Sequence, residues 1–322
     1  MIKWDYLNMY KAEECISCGN RRLEEFLHYP AVISPFIAAY VLKTQAALTY
    51  LLECNHCSCR FFAMRFNEIE IGDLYRNYRG EQYFQIRHQY EFWYSKKIND
   101  SIGHDVTEIQ RRQHRVKNYL KDKIDVAAIN TVLDFGGDKG QFIPADLGKE
   151  RYVFEISGVE SVAGVTVIAS EPALMQQQFD FIMLCHVLEH YSNPSDCLDN
   201  IKKIAKKNES VVFIELPYER YDLRFVTSHR FYKKYLQWII QFKRLFSVFD
   251  FFSTTVRLKL NFIPPLGFMR LHEHISFFNE KSLTALLEKN GFSIIHCDVI
   301  AEKSVLGNKK VLVCLARVAS VN

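Results

Sequence analysis

The sequence predicts an α/β fold with a mostly parallel sheet, wound on both faces by helices. Three observations predict it. Between about 105 and 216, short apolar runs alternate with stretches of helical spacing. A glycine-rich loop, "DFGGDKGQF" (Asp134 to Phe142), follows the first of those runs. The pattern resumes at the end of the chain, after an aromatic and basic interruption.

The runs are Thr131–Phe135, Arg151–Glu155, Val165–Ala169, Phe179–Cys185 and Ser210–Leu216. Runs this short, bounded by turns, suit strands buried on both faces of a parallel sheet. Asp105–Lys123 has helical spacing, with Val106, Ile109, Val116 and Leu120 on one face and basic residues elsewhere; Pro194–Lys207 also reads as a helix. Too few residues separate the second run from the third for more than a vestigial crossover helix. At the end, Asn279–Asn290 is helical and stops at Gly291, a favourable residue just past a helix. Phe292–Ile300 and Lys310–Val318 read as a hairpin turning at Gly307-Asn308 and closing the sheet.

The chain of 322 residues carries a net charge of +4, with 48% hydrophobic and 24% charged residues. That charge is too small to argue for nucleic acid, and none is expected as a partner. Met1–Glu14 does not read as a signal peptide. The most apolar stretch, Ala31–Leu52, is broken by Pro35, Lys43, Thr44 and Gln45, so no membrane span is expected. A cytoplasmic location follows, with nine cysteines that are free thiols or metal ligands. Four regions are expected: 1–100, 101–216, 217–271 and 272–322.

The glycine loop, between a strand and a helix-compatible run, places a ligand at the carboxyl ends of the strands. A pyrophosphate fingerprint needs Gly-x-Gly-x-x-Gly. Counting from Gly136, Asp138 and Gln141 occupy the second and third glycine positions. An aspartate there repels a pyrophosphate and tolerates a cation. S-adenosylmethionine carries a sulfonium and an ammonium and no phosphate. Glu155, 21 residues after Asp134, suits a carboxylate accepting from two ribose hydroxyls. The bland alternative is a tight turn at Gly136-Gly137.

Taken in order, "VLDFGGDKGQF", "YVFEISG", "FDFIMLCHVLEHYSNP" and "VVFIELP" resemble class I S-adenosylmethionine-dependent methyltransferases, whose sheet is Rossmann-like. The resemblance implies that Asp134, Gly136, Gly137 and Gly140 shape the methionine end of a donor site. It places Glu155 at the ribose, Ala169 and Ser170 at the adenine, and Leu184, Cys185 and His186 near the methyl donor. Asp138 and the trimmed second crossover depart from the usual pattern.

Cys15-x-x-Cys18 and Cys54-x-x-Cys57 can form two knuckles of a tetrahedral zinc site, with Cys59 as a substitute ligand. Four thiolates close such a site, so its expected role is structural. The alternative is buried, reduced cysteines without metal. A cysteine-pair module ahead of this sheet resembles bacterial methyltransferases acting on sugars, including deoxysugar C-methyltransferases and enzymes of surface polysaccharides. Leu74–Ser95 resembles their linker. This implies a small-molecule or glycan acceptor, free or nucleotide- or lipid-linked.

Methyl transfer to a hydroxyl or carbon acid requires a proton acceptor, and histidine titrates near neutrality. Two clusters qualify: His186, Glu189 and His190, and His272-Glu273-His274. "EHISFF" resembles the segment supplying a glutamate–histidine pair in deoxysugar C-methyltransferases. His274 therefore ranks first as base, with Glu273 orienting it or acting beside it, and His190 second.

From His229 to Leu260 there are seven Lys or Arg and one acid, Asp250, interleaved with aromatic residues. This insertion reads first as a lid or substrate platform. Other readings are a helical hairpin packed inward, a homodimer interface, or a membrane-surface contact. The function expected is methyl transfer to oxygen or carbon of a sugar-type acceptor. Its rivals are a non-catalytic binding module on the same fold and another nucleoside-cofactor enzyme.

Overall fold

The computed structural model describes residues 10–155, 159–206, 209–304 and 307–319. The start of the chain read against a signal peptide, the end of "YVFEISG" and the last residue of the expected helix Pro194–Lys207 lie wholly or partly outside them. The chain divides into two compact units, residues 1–93 with 221–276, and residues 94–220 with 277–322.

The second unit is the α/β unit. Its strands are β1 (Thr131–Phe135), β2 (Glu150–Phe154), β3 (Thr166–Ile168), β4 (Phe181–Cys185), β5 (Val211–Pro217), β6 (Phe292–Ser304) and β7 (Gly307–Val318). They form one sheet of order β3-β2-β1-β4-β5-β7-β6. The first five are mutually parallel, and the β6–β7 hairpin closes the edge antiparallel to β5. The order reverses between β1 and β4, which opens a crevice at their carboxyl ends.

Core side chains come from inward positions: Val132 on β1, Phe181 and Met183 on β4, Phe213 on β5, Val313 and Leu315 on β7. Asp180 pins the lower end of β1, accepting from the Asn130 and Thr131 amides at 3.0 and 2.8 Å.

The helix Val106–Leu120 starts at Asp105, whose carboxylate accepts from the Thr107 and Glu108 amides. Its inward face differs from the expected one. Val106 is 63% exposed, while Arg115, Val116, Tyr119 and Leu120 are buried. The basic residues are therefore not all outward, because a carboxylate on β5 draws Arg115 inside.

A second correction concerns the loop. No helix follows it: residues 136–149 run as turns to β2. Pro144 removes an amide, and Gly148 takes a left-handed φ of 72° that a helix does not have. Between β2 and β3 the described residues also hold no helix. The helix Pro194–Ile204 is started by Asn193, and Glu280–Lys289 by an Asn279/Ser282 capping box.

The first unit contains a small sheet of strands 269–271, 27–33, 48–53 and 60–62, in that order. It continues through Phe62, whose amide donates to the Ile275 carbonyl at 3.0 Å. The stretch Ala31–Leu52 contributes strand, helix and strand here. Met269–Leu271 pairs in parallel with Ala31–Ile33, so the end of the insertion completes the amino-terminal sheet. The region resembling a linker forms the helices Glu68–Tyr75 and Glu81–Tyr90. The insertion itself forms two helices, Arg230–Ile239 and Lys243–Leu260.

Candidate functional site

Within the α/β unit, Asp134 ends β1 at full burial, and neither carboxylate oxygen has a hydrogen-bond partner. Burial pushes its pKa up to about 7. Arg112 opposes the shift, while Glu215, Asp138 and Glu155 add to it. A buried, partnerless carboxylate surrounded by other acids is costly unless a cation reaches it.

The loop after Asp134 is shaped around that carboxylate. A Cβ on Gly137 would lie 2.1 Å from the Asp134 Cγ, so only glycine fits. Gly136, Asp138 and Gly140 take φ of 70°, 57° and 70°. Asp138 thus adopts the left-handed backbone that a second glycine would, which aspartate tolerates better than most residues. Its carboxylate accepts from the Gln141 side chain at 3.0 Å. The departure at Asp138 is in the side chain, not the path of the chain. A Cβ on Gly140 would strike Val165 at 2.7 Å.

At the carboxyl end of β2, Glu155 is half-buried, and its amide donates to the Ile168 carbonyl at 3.2 Å. Ala169 and Ser170, after β3, are exposed. Leu184 is fully buried within β4, so only its main chain can face a ligand. Cys185 is also buried, and desolvation raises its thiol well above the usual range, which makes it inert. His186 takes a φ of 59°; its Nε2 lies 3.2 Å from Glu215 and its Nδ1 3.3 Å from Glu189. "HVLEH" forms a turn rather than a helix, and His190 Nε2 lies 3.9 Å from the buried Glu189.

Sequence reasoning missed the charged support beneath these residues. Arg115 donates through Nε and Nη2 to the two Glu215 oxygens at 2.7 and 2.8 Å. Arg112 Nε is 3.3 Å from Glu215, and its guanidinium lies over the Phe142 ring at 3.7 Å. Burial alone would raise Glu215, but His186, Arg112 and Arg115 outweigh it and hold it well below the carboxylate range. The signal was present: Glu215 is the one charge in the otherwise apolar run "VVFIELP", and Arg112 and Arg115 are three apart on a helix.

The first unit holds the other expected residues. Cys15 Sγ is 3.6 Å from Cys57 and Cys18 Sγ is 3.7 Å from Cys54, with all four sulfurs within 4.8 Å of one another. These separations are far beyond a disulfide of about 2.05 Å. They match the edge of about 3.8 Å of a tetrahedron with Zn–S bonds of about 2.3 Å. Gly19 and Ser58 take left-handed φ of 73° and 58° at the two knuckles, whose amides return to the Cys15 and Cys54 carbonyls at 2.9 Å. The set fits a tetrahedral thiophilic ion. Cys59 is buried and lies beside the Arg60 carbonyl, outside this group of four.

His272, Glu273 and His274 follow the strand Met269–Leu271. Glu273 accepts from Tyr78 at 3.1 Å, from Arg87 at 2.9 Å and from Tyr83. Two hydroxyls and a guanidinium hold its carboxylate in place. His272 stacks on Phe36 and meets Glu91 at 2.9 Å; burial pushes its pKa down to about 4. His274 is half-buried. The tyrosines 78 and 83 are thus parts of an interior network.

Residues 111–297 match the family described as "Methyltransferase domain". The glycine loop, Asp134, Glu155 and the turn after β4 all lie at the carboxyl ends of the strands, around the strand order's reversal. The chain belongs to the methyltransferase-domain family and is an enzyme, an S-adenosylmethionine-dependent methyltransferase. Among solved structures, it is similar to the magnesium protoporphyrin IX methyltransferase of Synechocystis PCC 6803, at 16% identity and a TM-score of 0.43, covering 78% of this chain and 100% of that one. The 1,6-didemethyltoxoflavin-N1-methyltransferase of Burkholderia thailandensis is 13% identical with a TM-score of 0.42, covering 74% and 90%. The N-methyltransferase NodS of Bradyrhizobium japonicum WM9 is 14% identical with a TM-score of 0.37, covering 67% and 99%. No curated protein matches the chain. Likenesses this distant say nothing of the acceptor.

Proposed function

We propose that this protein is a cytoplasmic methyltransferase that uses S-adenosylmethionine to methylate an oxygen or carbon of a sugar-type acceptor, with a structural zinc on its four amino-terminal cysteines. The observation that carries the donor site is Asp134: buried, without a hydrogen-bond partner, and set among acids. In this reading Asp134 and the loop Gly136–Gly140 take the amino-acid end, where the carboxylate meets the ammonium. Glu155 accepts from the ribose hydroxyls, and Ala169 and Ser170 flank the adenine. The main chain at Leu184 and Cys185, with His186, borders the methyl group. When bound, the donor supplies a methyl group on a sulfonium; the protein's part is to hold it and to exclude pyrophosphate ligands.

The acceptor class rests on the resemblance of the cysteine-pair module and "EHISFF" to sugar methyltransferases. His274 is the first residue proposed to take the acceptor's proton, and His190 the second. Glu273, held by Tyr78, Tyr83 and Arg87, is proposed to orient His274 or to act beside it. The test is release of S-adenosylhomocysteine in the presence of candidate glycans, free and nucleotide-linked. Turnover lost in His274→Ala with donor affinity kept supports the assignment; unchanged turnover in both His274→Ala and His190→Ala overturns it. For zinc, elemental analysis is expected to find one ion per chain, and a folded, metal-free protein would refute it.

A further inference from the structure

The helices Arg230–Ile239 and Lys243–Leu260 have two unlike faces. Inward, Tyr232, Leu236, Ile239 and Phe246 are buried. They are anchored where the Tyr232 hydroxyl donates to the Gly267 carbonyl at 2.7 Å and Phe246 meets Phe268 at 5.0 Å. The packing core of the hairpin is therefore already satisfied by its own unit.

Outward on the first helix, Phe231 (75% exposed), Lys234 and Trp238 recur at spacings of three and four, and Phe242, in the turn that follows, lies 5.1 Å from Trp238. On the second helix Arg244, Val248 and Phe252 do the same and Leu258 is exposed further along, while Phe251, 44% exposed, lies beside Phe92 and Trp93. Large apolar side chains left in water on both helices mark an interaction surface. Its charge is one-sided. Exposed Arg230, Lys234, Lys243, Arg244 and Lys259 are cationic, and the single acid of the segment, Asp250, is buried 3.0 Å from Arg270.

We propose that these outward faces bind an anionic lipid bilayer surface, with the aromatic and aliphatic side chains in the headgroup–acyl boundary and the cations among the headgroups. Basic residues interleaved with aromatic and aliphatic ones on an exposed helix face have the composition of an interfacial anchor. Among the described residues no helix is long and apolar enough to cross a membrane, so the helices lie on the surface. A second copy of the chain is disfavoured, because two-fold pairing of this face sets cations against cations. Nucleic acid also matches the charge and can stack on the aromatic side chains, but the exposed aliphatic Val248, Leu258 and Leu260 among them suit an acyl boundary better than bases.

The test is co-sedimentation of the full chain with phosphatidylcholine vesicles, with and without phosphatidylserine. Binding is expected only with phosphatidylserine, weakened by salt. The double variant K234E/R244E is expected to lose roughly tenfold or more of it, and F231S/F242S a comparable amount. Donor affinity and melting temperature should stay unchanged in both. Because a variant can misfold, a second readout uses brominated lipid: it quenches the wild type, and the conservative W238F removes that quenching. Absence of binding to anionic vesicles overturns the proposal, as do variants that bind like wild type. Dimerisation through this face, or capture of an oligonucleotide in preference to vesicles, overturns it equally.

Discussion

Two buried groups of charges sit in this protein, and they differ in one respect. Among the described residues of the first unit each buried acid has a cation beside it, although Asp250 Oδ2 makes no hydrogen bond and burial raises its pKa to about 6. Glu91 is held by Arg87 at 2.8 Å, by Arg270 and by His272; Glu273 by Tyr78, Tyr83 and Arg87; Asp250 by Arg270. In the α/β unit Glu215 is equally well satisfied, but Asp134 is not. A carboxylate that is paid for by its neighbours is part of the scaffold. One left without a hydrogen-bond partner, beside a glycine whose Cβ would strike it, is the ground for proposing that a cation reaches it from outside.

The contrast can be broken from either side. The largest effect is expected at Arg270, which joins Glu91 and Asp250. Arg270→Ala leaves the buried Asp250 without its cation and takes one of three partners from Glu91, and should cost about 3–5 kcal/mol in urea unfolding. A loss under 1 kcal/mol would show the network to be looser than its distances.

Asp134→Asn comes next and should move stability the other way. The folded pKa of Asp134 is raised to about 7, above the unfolded value, so the folded state holds its proton longer. Its contribution therefore falls as pH rises from about 4 to 7, and the donor-free protein is penalised above that window. Removing the charge should stabilise the donor-free protein at pH 8 by about 2–4 kcal/mol, while donor affinity falls about a hundredfold. Thermal unfolding with and without donor reads both.

Gly137→Ala sharpens the point sterically. Its Cβ must displace the Asp134 carboxylate, so donor affinity should drop by about tenfold or more at a stability cost near 1–3 kcal/mol. The smallest structural effect is expected from the half-buried Glu155. Glu155→Ala should leave the melting temperature within a degree or two and weaken donor binding by about tenfold. Wild-type donor affinity in that variant would remove Glu155 from the site.

Much of the α/β unit was legible because its signals are local. The five parallel strands fall within two residues of the apolar runs, and the helix stop at Gly291 and the closing hairpin are read from short stretches, although Gly307 and Asn308 pair with Ser304 and Lys303 within the hairpin instead of forming its turn. The glycine loop was legible as a ligand loop, yet the helix expected after it is absent. Compatibility of a short run with helix did not outweigh Pro144 and the left-handed backbone at Gly148. What could not be read is non-local. Nothing near Met269–Leu271 announces that it pairs with Ala31–Ile33, far away in the chain. The inward turn of Arg112 and Arg115 depends likewise on Glu215, and the commitment of Glu273 on Tyr78 in a distant turn and Tyr83 on the helix after it.

The central claim is that Asp134 waits, partly protonated, for a cation. Calorimetric titration of S-adenosylmethionine at several pH values from about 5.5 to 7.5, in buffers of different ionisation enthalpy, tests it directly. If the claim holds, binding below about pH 7 releases a proton and the affinity climbs as pH rises; both effects vanish in Asp134→Asn. Affinity that is flat across this range, with no proton released and with Asp134→Asn binding as tightly as wild type, would contradict it.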